Sequence, residues 1–135
     1  MSHPTSTEVA GRIEDLYGAP FAVLKAHAQG QEDQPPGMLS ALLGMHEALA
    51  LAERSIDLHR GHFAQLIDPA RQIGRQEVSH LLDGARRLAE AVAVRDVQAE
   101  AVAAVLRSLT RLPAPAPSPP TSSPPVPAPS TAPSR

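Results

Sequence analysis

The amino-acid sequence predicts an all-α protein, an antiparallel three-helix bundle built on a long helical hairpin and followed by a disordered proline-rich tail. Large aliphatic residues repeat at alternating spacings of three and four along two long segments, about 38–67 and 75–112. The short connection between these segments favours antiparallel packing of the two helices. From 113 to 135, ten prolines stand among small residues that have little to bury. We therefore expect a bundle domain over 1–112 and a tail over 113–135.

The N-terminal segment begins with a helix-capping pattern. Thr5 is followed three residues later by Glu8, so each side chain can accept a hydrogen bond from the other's backbone. Apolar residues then follow at helical spacing until Gly18 and Pro20 interrupt them, because proline lacks the backbone donor and its ring clashes one turn back. The pattern is compatible with one kinked helix over about 5–29 or with two short helices that meet at Pro20.

The second segment carries the clearest periodicity. Its apolar positions form a heptad pattern over about four heptads, which predicts one buried stripe along a helix. That stripe consists of Met38, Leu42, Met45, Leu49, Ala52, Ile56, His59, Phe63 and Leu66. The opposite face carries Ser40, Glu47, Arg54 and Gly61, as expected for a surface in contact with water.

The third segment has a similar stripe. It consists of Val78, Leu81, Ala85, Leu88, Val92, Arg95, Ala99, Val102, Leu106 and Leu109. Arg95 is its only polar member, and Asp96 could cap a new helix at that point. The lack of Pro or Gly between 85 and 112 favours a single helix instead. Before this segment, Asp68 and Pro69 supply a candidate N-cap and first-turn proline.

Composition and charge exclude several classes of protein. A net charge of −2 provides no field that would hold a polyanion, so we expect no nucleic-acid partner. The absence of cysteine excludes disulfide scaffolds, cysteine zinc sites and thiol nucleophiles. No stretch approaches the roughly 18 apolar residues of a membrane span, and no signal peptide is visible at the N-terminus. With neither of these visible, we expect a cytoplasmic protein. One lysine against eleven arginines is typical of a GC-rich genome, so we expect a bacterial one.

One cluster has the residue types of a metal site. His59 and His62 are one helical turn apart, as are Glu77 and His80, so each pair shares a helix face. In the register of a tight hairpin, His62 lies opposite His80 and His59 opposite Asp83. Neutral imidazoles and a carboxylate suit zinc or iron. We therefore predict His59, His62, Glu77 and His80 as candidate metal ligands, and we expect no other cofactor.

Two short patterns resemble those of known enzyme families. Glu77-Val78-Ser79-His80 resembles the Glu-x-x-His half-motif of ferritin-like di-iron proteins, which implies partner glutamates on other helices and, with one copy here, a dimer. Arg54 with His59, and Arg75 with His80, resemble the Arg-x4-His pattern of the HEPN ribonucleases. That resemblance implies phosphodiester cleavage at a dimer interface.

The favoured function is that of a non-enzymatic helical interaction protein whose apolar faces mediate self-association or binding of a protein partner. Leucines beside the main stripe indicate leftover apolar surface and favour a homodimer. A metal-binding helical bundle is the first alternative and an HEPN-like ribonuclease the second. The tail is expected to populate polyproline II and to act as a semi-rigid spacer or as a ligand for a partner domain.

Overall fold

The computed structural model describes residues 2–31, 33 and 37–110. Over these residues the chain forms four helices and no strand: α1 (Ser6–Tyr17), α2 (Phe21–Gln29), α3 (Met38–Leu66) and α4 (Arg75–Thr110). The predicted all-α fold class and the two long helices are confirmed. The predicted tail, 113–135, and the last two residues of the predicted third segment lie outside the described residues. No helix within the described part of the chain combines the length and the apolar character needed to cross a bilayer.

The start of α1 is held at two points. The backbone N–H of Thr5 donates to the Glu8 carboxylate at 2.9 Å, and the Glu8 N–H donates to the Thr5 hydroxyl at 3.2 Å, so the predicted capping box is present. The backbone N–H of Ser6 also donates to Oε1 of Glu53 on α3 at 2.8 Å, and the Ser6 hydroxyl donates to the other oxygen of that carboxylate. A carboxylate at this helix end complements the helix dipole and ties α1 to α3.

The N-terminal segment is two short helices, the second of the two predicted alternatives. Gly18 ends α1 in the left-handed region at φ 67°, where a residue without Cβ carries no steric cost. Pro20 then caps α2, since its missing donor is not needed at a helix start. The break therefore follows from local chemistry and does not depend on the rest of the fold.

Helices α3 and α4 form the antiparallel hairpin. At its closed end, the two helices approach closely at Gly84, where an added Cβ would lie 3.4 Å from the Phe63 ring and 3.5 Å from Leu66. At the open end, Leu42 near the start of α3 and Leu106 near the end of α4 belong to the same core. α1 packs on both helices of the hairpin, and α2 packs on α1 and α3.

The periodicity predicted for α3 is confirmed. Every residue of its predicted stripe is buried or half-buried except Met38, which is 50% exposed at the first turn. The four residues predicted to face water are all exposed. The heptad pattern of large side chains therefore fixed the rotation of this helix.

The stripe predicted for α4 is partly wrong. Val78 and Ala85 are exposed, and the inward positions beside them are Glu77 and Gly84. The prediction gave weight to side-chain size, whereas Gly84, which has no side chain, takes an inward position against Phe63 and Leu66. Leu81 and Leu88 are half-buried as predicted, so in this part of α4 the stripe is wrong only at Val78 and Ala85.

Of the two remaining expectations for α4 and the residues before it, one is right and one is wrong. The helix runs without a break through Arg95, whose Nε donates to Oδ1 of Asp96 at 2.6 Å, so the single-helix prediction is right. Asp68 does not start a helix. Its carboxylate instead accepts from the Ala70 N–H at 2.9 Å within the connection, and α4 begins at Arg75.

The core lies where α1, α2 and the open half of the hairpin meet. It is built from aliphatic side chains, and no described polar residue is buried. Its members are Val9, Ile13, Leu24, Leu42, Leu49, Ala99, Val102 and Leu106. Among the described helices, only α3 and α4 themselves form the closed half of the hairpin, and many polar and apolar side chains there are exposed.

Candidate functional site

A groove lies between α3 and α4 near the closed end of the hairpin, with a volume of about 260 Å³. Leu66 and Gly84 contribute apolar surface to it. Its polar lining, called here the arginine–histidine groove, consists of His59, His62, Gln65, Arg71, His80, Asp83 and Arg87. His59 is half-buried and the other polar side chains are exposed. His59, His62, His80 and Asp83 therefore line one groove, while the packing of Gly84 against Phe63 and Leu66 is the pairing of the two helices that the structure gives at this end.

The predicted metal ligands are only partly gathered by this groove. His59, His62 and His80 line it together. Glu77 lies at the first turn of α4, where its Oε2 accepts from the Gly74 N–H at 2.9 Å, and it lines a neighbouring cavity of about 480 Å³ with His80. Within the described ranges, no group of three or more His, Asp or Glu side chains is arranged to hold a metal ion. The zinc or iron site at these four residues stays a prediction.

The charges around the groove are mixed, with a basic excess. Asp83 contributes the only carboxylate among the lining residues, against the guanidinium groups of Arg71 and Arg87. Its Oδ1 lies 3.4 Å from Nη2 of Arg86, which is not a lining residue, and its Oδ2 lies 4.0 Å from Nη2 of Arg87. The second distance is too long for a hydrogen bond, so the carboxylate does not occupy the donors of Arg87.

Neither of the two Arg-x4-His pairs contributes its arginine to the groove. Arg54 points to its own helix face, where its Nη2 lies 3.1 Å from Oε1 of Glu47. The lining arginines, Arg71 and Arg87, belong to neither pair. The ribonuclease interpretation therefore stays a prediction from the residue pattern.

Sequence reasoning missed both lining arginines. Arg87 follows His80 by seven residues, which is two helical turns, so the same spacing rule that grouped the histidines could have found it. Arg71 lies in the connection between the helices, where no periodicity operates. Its position depends on the path of the turn, in which the Arg71 N–H donates to the Asp68 carbonyl at 3.0 Å.

A different histidine has a shifted pKa. His46 on α3 packs its ring against Phe21 of α2, with centroids 4.5 Å apart and planes tilted by 54°. Burial lowers the pKa of His46 below its ordinary value of 6.5, and the Lys25 charge acts in the same direction. Glu47 and Glu53 oppose this shift but do not cancel it.

This shift predicts a pH dependence of stability. Below about pH 6.5 the unfolded chain binds a proton at His46 that the folded chain does not bind, so acidification favours unfolding. His46→Gln should therefore weaken the fall of the melting temperature between about pH 7 and the folded-state pKa. Thermal melts followed by circular dichroism at several pH values measure it. His27→Gln, at an exposed position of α2, should leave the slope unchanged, and equal slopes for wild type and His46→Gln would contradict the assignment.

The described part of the chain is thus an all-α protein built on a long helical hairpin. Two short N-terminal helices pack on the open half of the hairpin, and a basic groove lies at its closed end. No protein-family model matches the chain, no curated protein matches it, and no solved structure matches it.

Proposed function

We propose that the chain is a non-enzymatic helical interaction protein that associates with a second copy of itself through an apolar face of its hairpin. The observation that carries the proposal is a set of exposed apolar residues at two-turn spacing on both long helices. Leu51 and Leu58 on α3 are 61% and 57% exposed, and Val94 on α4 is 53% exposed. With Ala101, seven residues after Val94 and also exposed, they are called here the open face.

The open face lies on the side of the hairpin away from α1. Glu53 binds Ser6 at the start of α1, and Asp96 lies 3.8 Å from His3 in the N-terminal arm. Leu51 and Val94 each precede one of these residues by two positions, about 200° around a helix with about 3.6 residues per turn. They therefore point away from the N-terminal helices.

The arginine–histidine groove lies on the same side of the hairpin, and this supports treating the two halves of the open face as one surface. His62 on α3 and Arg87 on α4 line one groove and so face the same side. Leu58 precedes His62 by four residues, and Val94 follows Arg87 by seven, so each shares its helix face. The apolar residues of α3 and α4 thus form one two-helix surface.

The composition of this surface favours self-association. Apart from Glu90 and Glu100, every exposed residue between Leu88 and Leu106 is alanine or valine. Small side chains let helices approach closely, and a two-fold pair brings the same apolar patch to both sides of the interface. Two hairpins stacked by their open faces would form a four-helix arrangement of the kind that stabilises helical bundles.

We propose that the chain forms a bacterial, cytoplasmic homodimer. The alternative is that the open face binds another protein, and the experiment below distinguishes the two. The arginine-rich, cysteine-free composition supports the source and the compartment. Exposed contiguous apolar surface of this kind is typical of protein interaction sites.

Val94→Lys should weaken self-association at least about tenfold, because it places a charge in an apolar interface. Sedimentation velocity over a range of concentrations measures the effect. Val23→Lys is the matched control, since Val23 is 57% exposed on α2, which is not part of the open face, and receives the same substitution. A wild-type chain that is monomeric at high micromolar concentration, or equal effects of the two variants, would contradict self-association.

A further inference from the structure

We propose that the arginine–histidine groove binds a small phosphate-bearing molecule through its tetrahedral oxyanion. This inference is independent of self-association, because it depends on the lining of the groove and not on the open face.

The lining of the groove is rich in hydrogen-bond donors. Arg71 and Arg87 bring guanidinium groups, whose planar donors match the geometry of phosphate oxygens. Gln65 adds a neutral amide, which can donate two hydrogen bonds. Neutral imidazoles can also donate one each, so His59, His62 and His80 add donors to the same groove. An oxyanion is the ligand that uses this many donors at once.

The charged lining residues are two arginines and one aspartate. Asp83 is the one acidic lining residue, and its carboxylate is shared with Arg86 outside the groove at 3.4 Å. Asp83 also forms an ion pair with Arg87, but at 4.0 Å its Oδ2 is too far from Nη2 for a hydrogen bond. Two guanidinium groups near the imidazoles oppose a divalent cation at this point and favour an anion.

The carboxylate that the metal prediction requires does not line the groove itself. Glu77 is the only anionic member of the predicted ligand set, and it is hydrogen-bonded to the Gly74 N–H at the start of α4. It lines an adjoining cavity that shares Arg71 and His80 with the groove, and the described residues contain no three-ligand metal cluster. The arrangement of this end of the hairpin is therefore closer to an anion site than to a metal centre.

The groove has room for a small oxyanion, and it adjoins the cavity of about 480 Å³ with which it shares Arg71 and His80. The volume of the groove alone, about 260 Å³, lies below the range of about 300–1,000 Å³ that is usual for drug-sized ligands. The groove is also open, since most of its polar side chains are exposed. A free phosphate or a small phosphate monoester fits this space.

Nuclear magnetic resonance titration of the full chain with inorganic phosphate and with glycerol phosphate tests the proposal. We expect saturable amide shifts at groove residues, and at least about tenfold weaker binding in Arg71→Gln/Arg87→Gln, where two charge-assisted contacts are lost. Tighter binding of the ester identifies a phosphorylated small molecule as the ligand, and equal binding identifies the free anion.

Arg86→Gln is the matched control, because Arg86 is the neighbour of Arg87 and pairs with the same Asp83 but does not line the groove. The affinity of Arg86→Gln for phosphate should stay within about twofold of wild type, because the substitution removes only an exposed ion pair. All three arginines are exposed, so the variants should keep the wild-type helix content, which circular dichroism checks.

Three outcomes would overturn the anion site. The first is the absence of saturable shifts at tens of millimolar phosphate, and the second is unchanged affinity in the double arginine variant. The third is stoichiometric binding of Zn²⁺ that raises the melting temperature and is lost in His62→Ala/His80→Ala, since a metal bound to the folded state stabilises it by mass action. That third result would establish the metal site instead.

Discussion

Replacing Leu49 with alanine is expected to lower the free energy of unfolding by about 2–4 kcal/mol, the usual cost of truncating a fully buried leucine. Leu49 has 0% exposure and lies in the core between the hairpin and the N-terminal helices. The loss combines the apolar area returned to water with the cavity left in a packed core. Urea unfolding followed by circular dichroism measures it, with the change in midpoint converted at constant slope.

The matched control for this prediction is Leu82→Ala on α4. Leu82 is 69% exposed, so the same truncation there should change the free energy of unfolding by less than about 0.5 kcal/mol. Similar losses for the two variants would mean that the rotation of the helices about their axes differs from the one described.

Replacing Ile13 with alanine is expected to destabilise the whole protein by about 2–4 kcal/mol. Ile13 is fully buried and, with Val9, carries the contact of α1 with the core. Since α1 packs on both long helices, weakening the contact of α1 with the core should destabilise the hairpin as well. We therefore expect one cooperative transition at a lower urea concentration.

The composition of the chain allows this cooperativity to be measured. Tyr17 is the only tyrosine, there is no tryptophan, and Tyr17 is the last residue of α1. Tyrosine fluorescence therefore reports on α1, whereas circular dichroism at the helix band reports on all four helices. The two transitions should coincide in wild type and in Ile13→Ala. A fluorescence transition that precedes the helical one would show that α1 detaches separately, and would contradict the shared core.

Most of the helical architecture could be predicted because it depends on residues close together in sequence. The Thr5–Glu8 capping box, the break at Gly18 and Pro20, and the rotation of α3 all follow from local patterns. The inward positions in the first half of α4 could not all be predicted in the same way. There the decisive residue is Gly84, and its role appears only when Phe63 and Leu66 approach it.

The candidate site was likewise predictable only where it depends on spacing along one helix. Helical spacing identified the histidines at 59, 62 and 80, because residues three or four apart share a face. Spacing did not show that Glu77 hydrogen-bonds to the start of its own helix, nor that Arg71 reaches the groove from the connection. The residue types alone therefore suggested a metal site, whereas the positions of the residues in the structure favour the proposed anion site.

The sequence by itself determined the all-α class, the two long helices and the points where the N-terminal segment breaks, since caps, prolines and hydrophobic periods act over one or two turns. Only the tertiary structure decided which face of the hairpin α1 covers, and hence that Leu51, Leu58 and Val94 are left exposed. It also decided which polar side chains meet at the closed end. The reason is physical: periodicity fixes the directions of side chains around one helix, whereas exposure and site composition depend on the distance and rotation between helices.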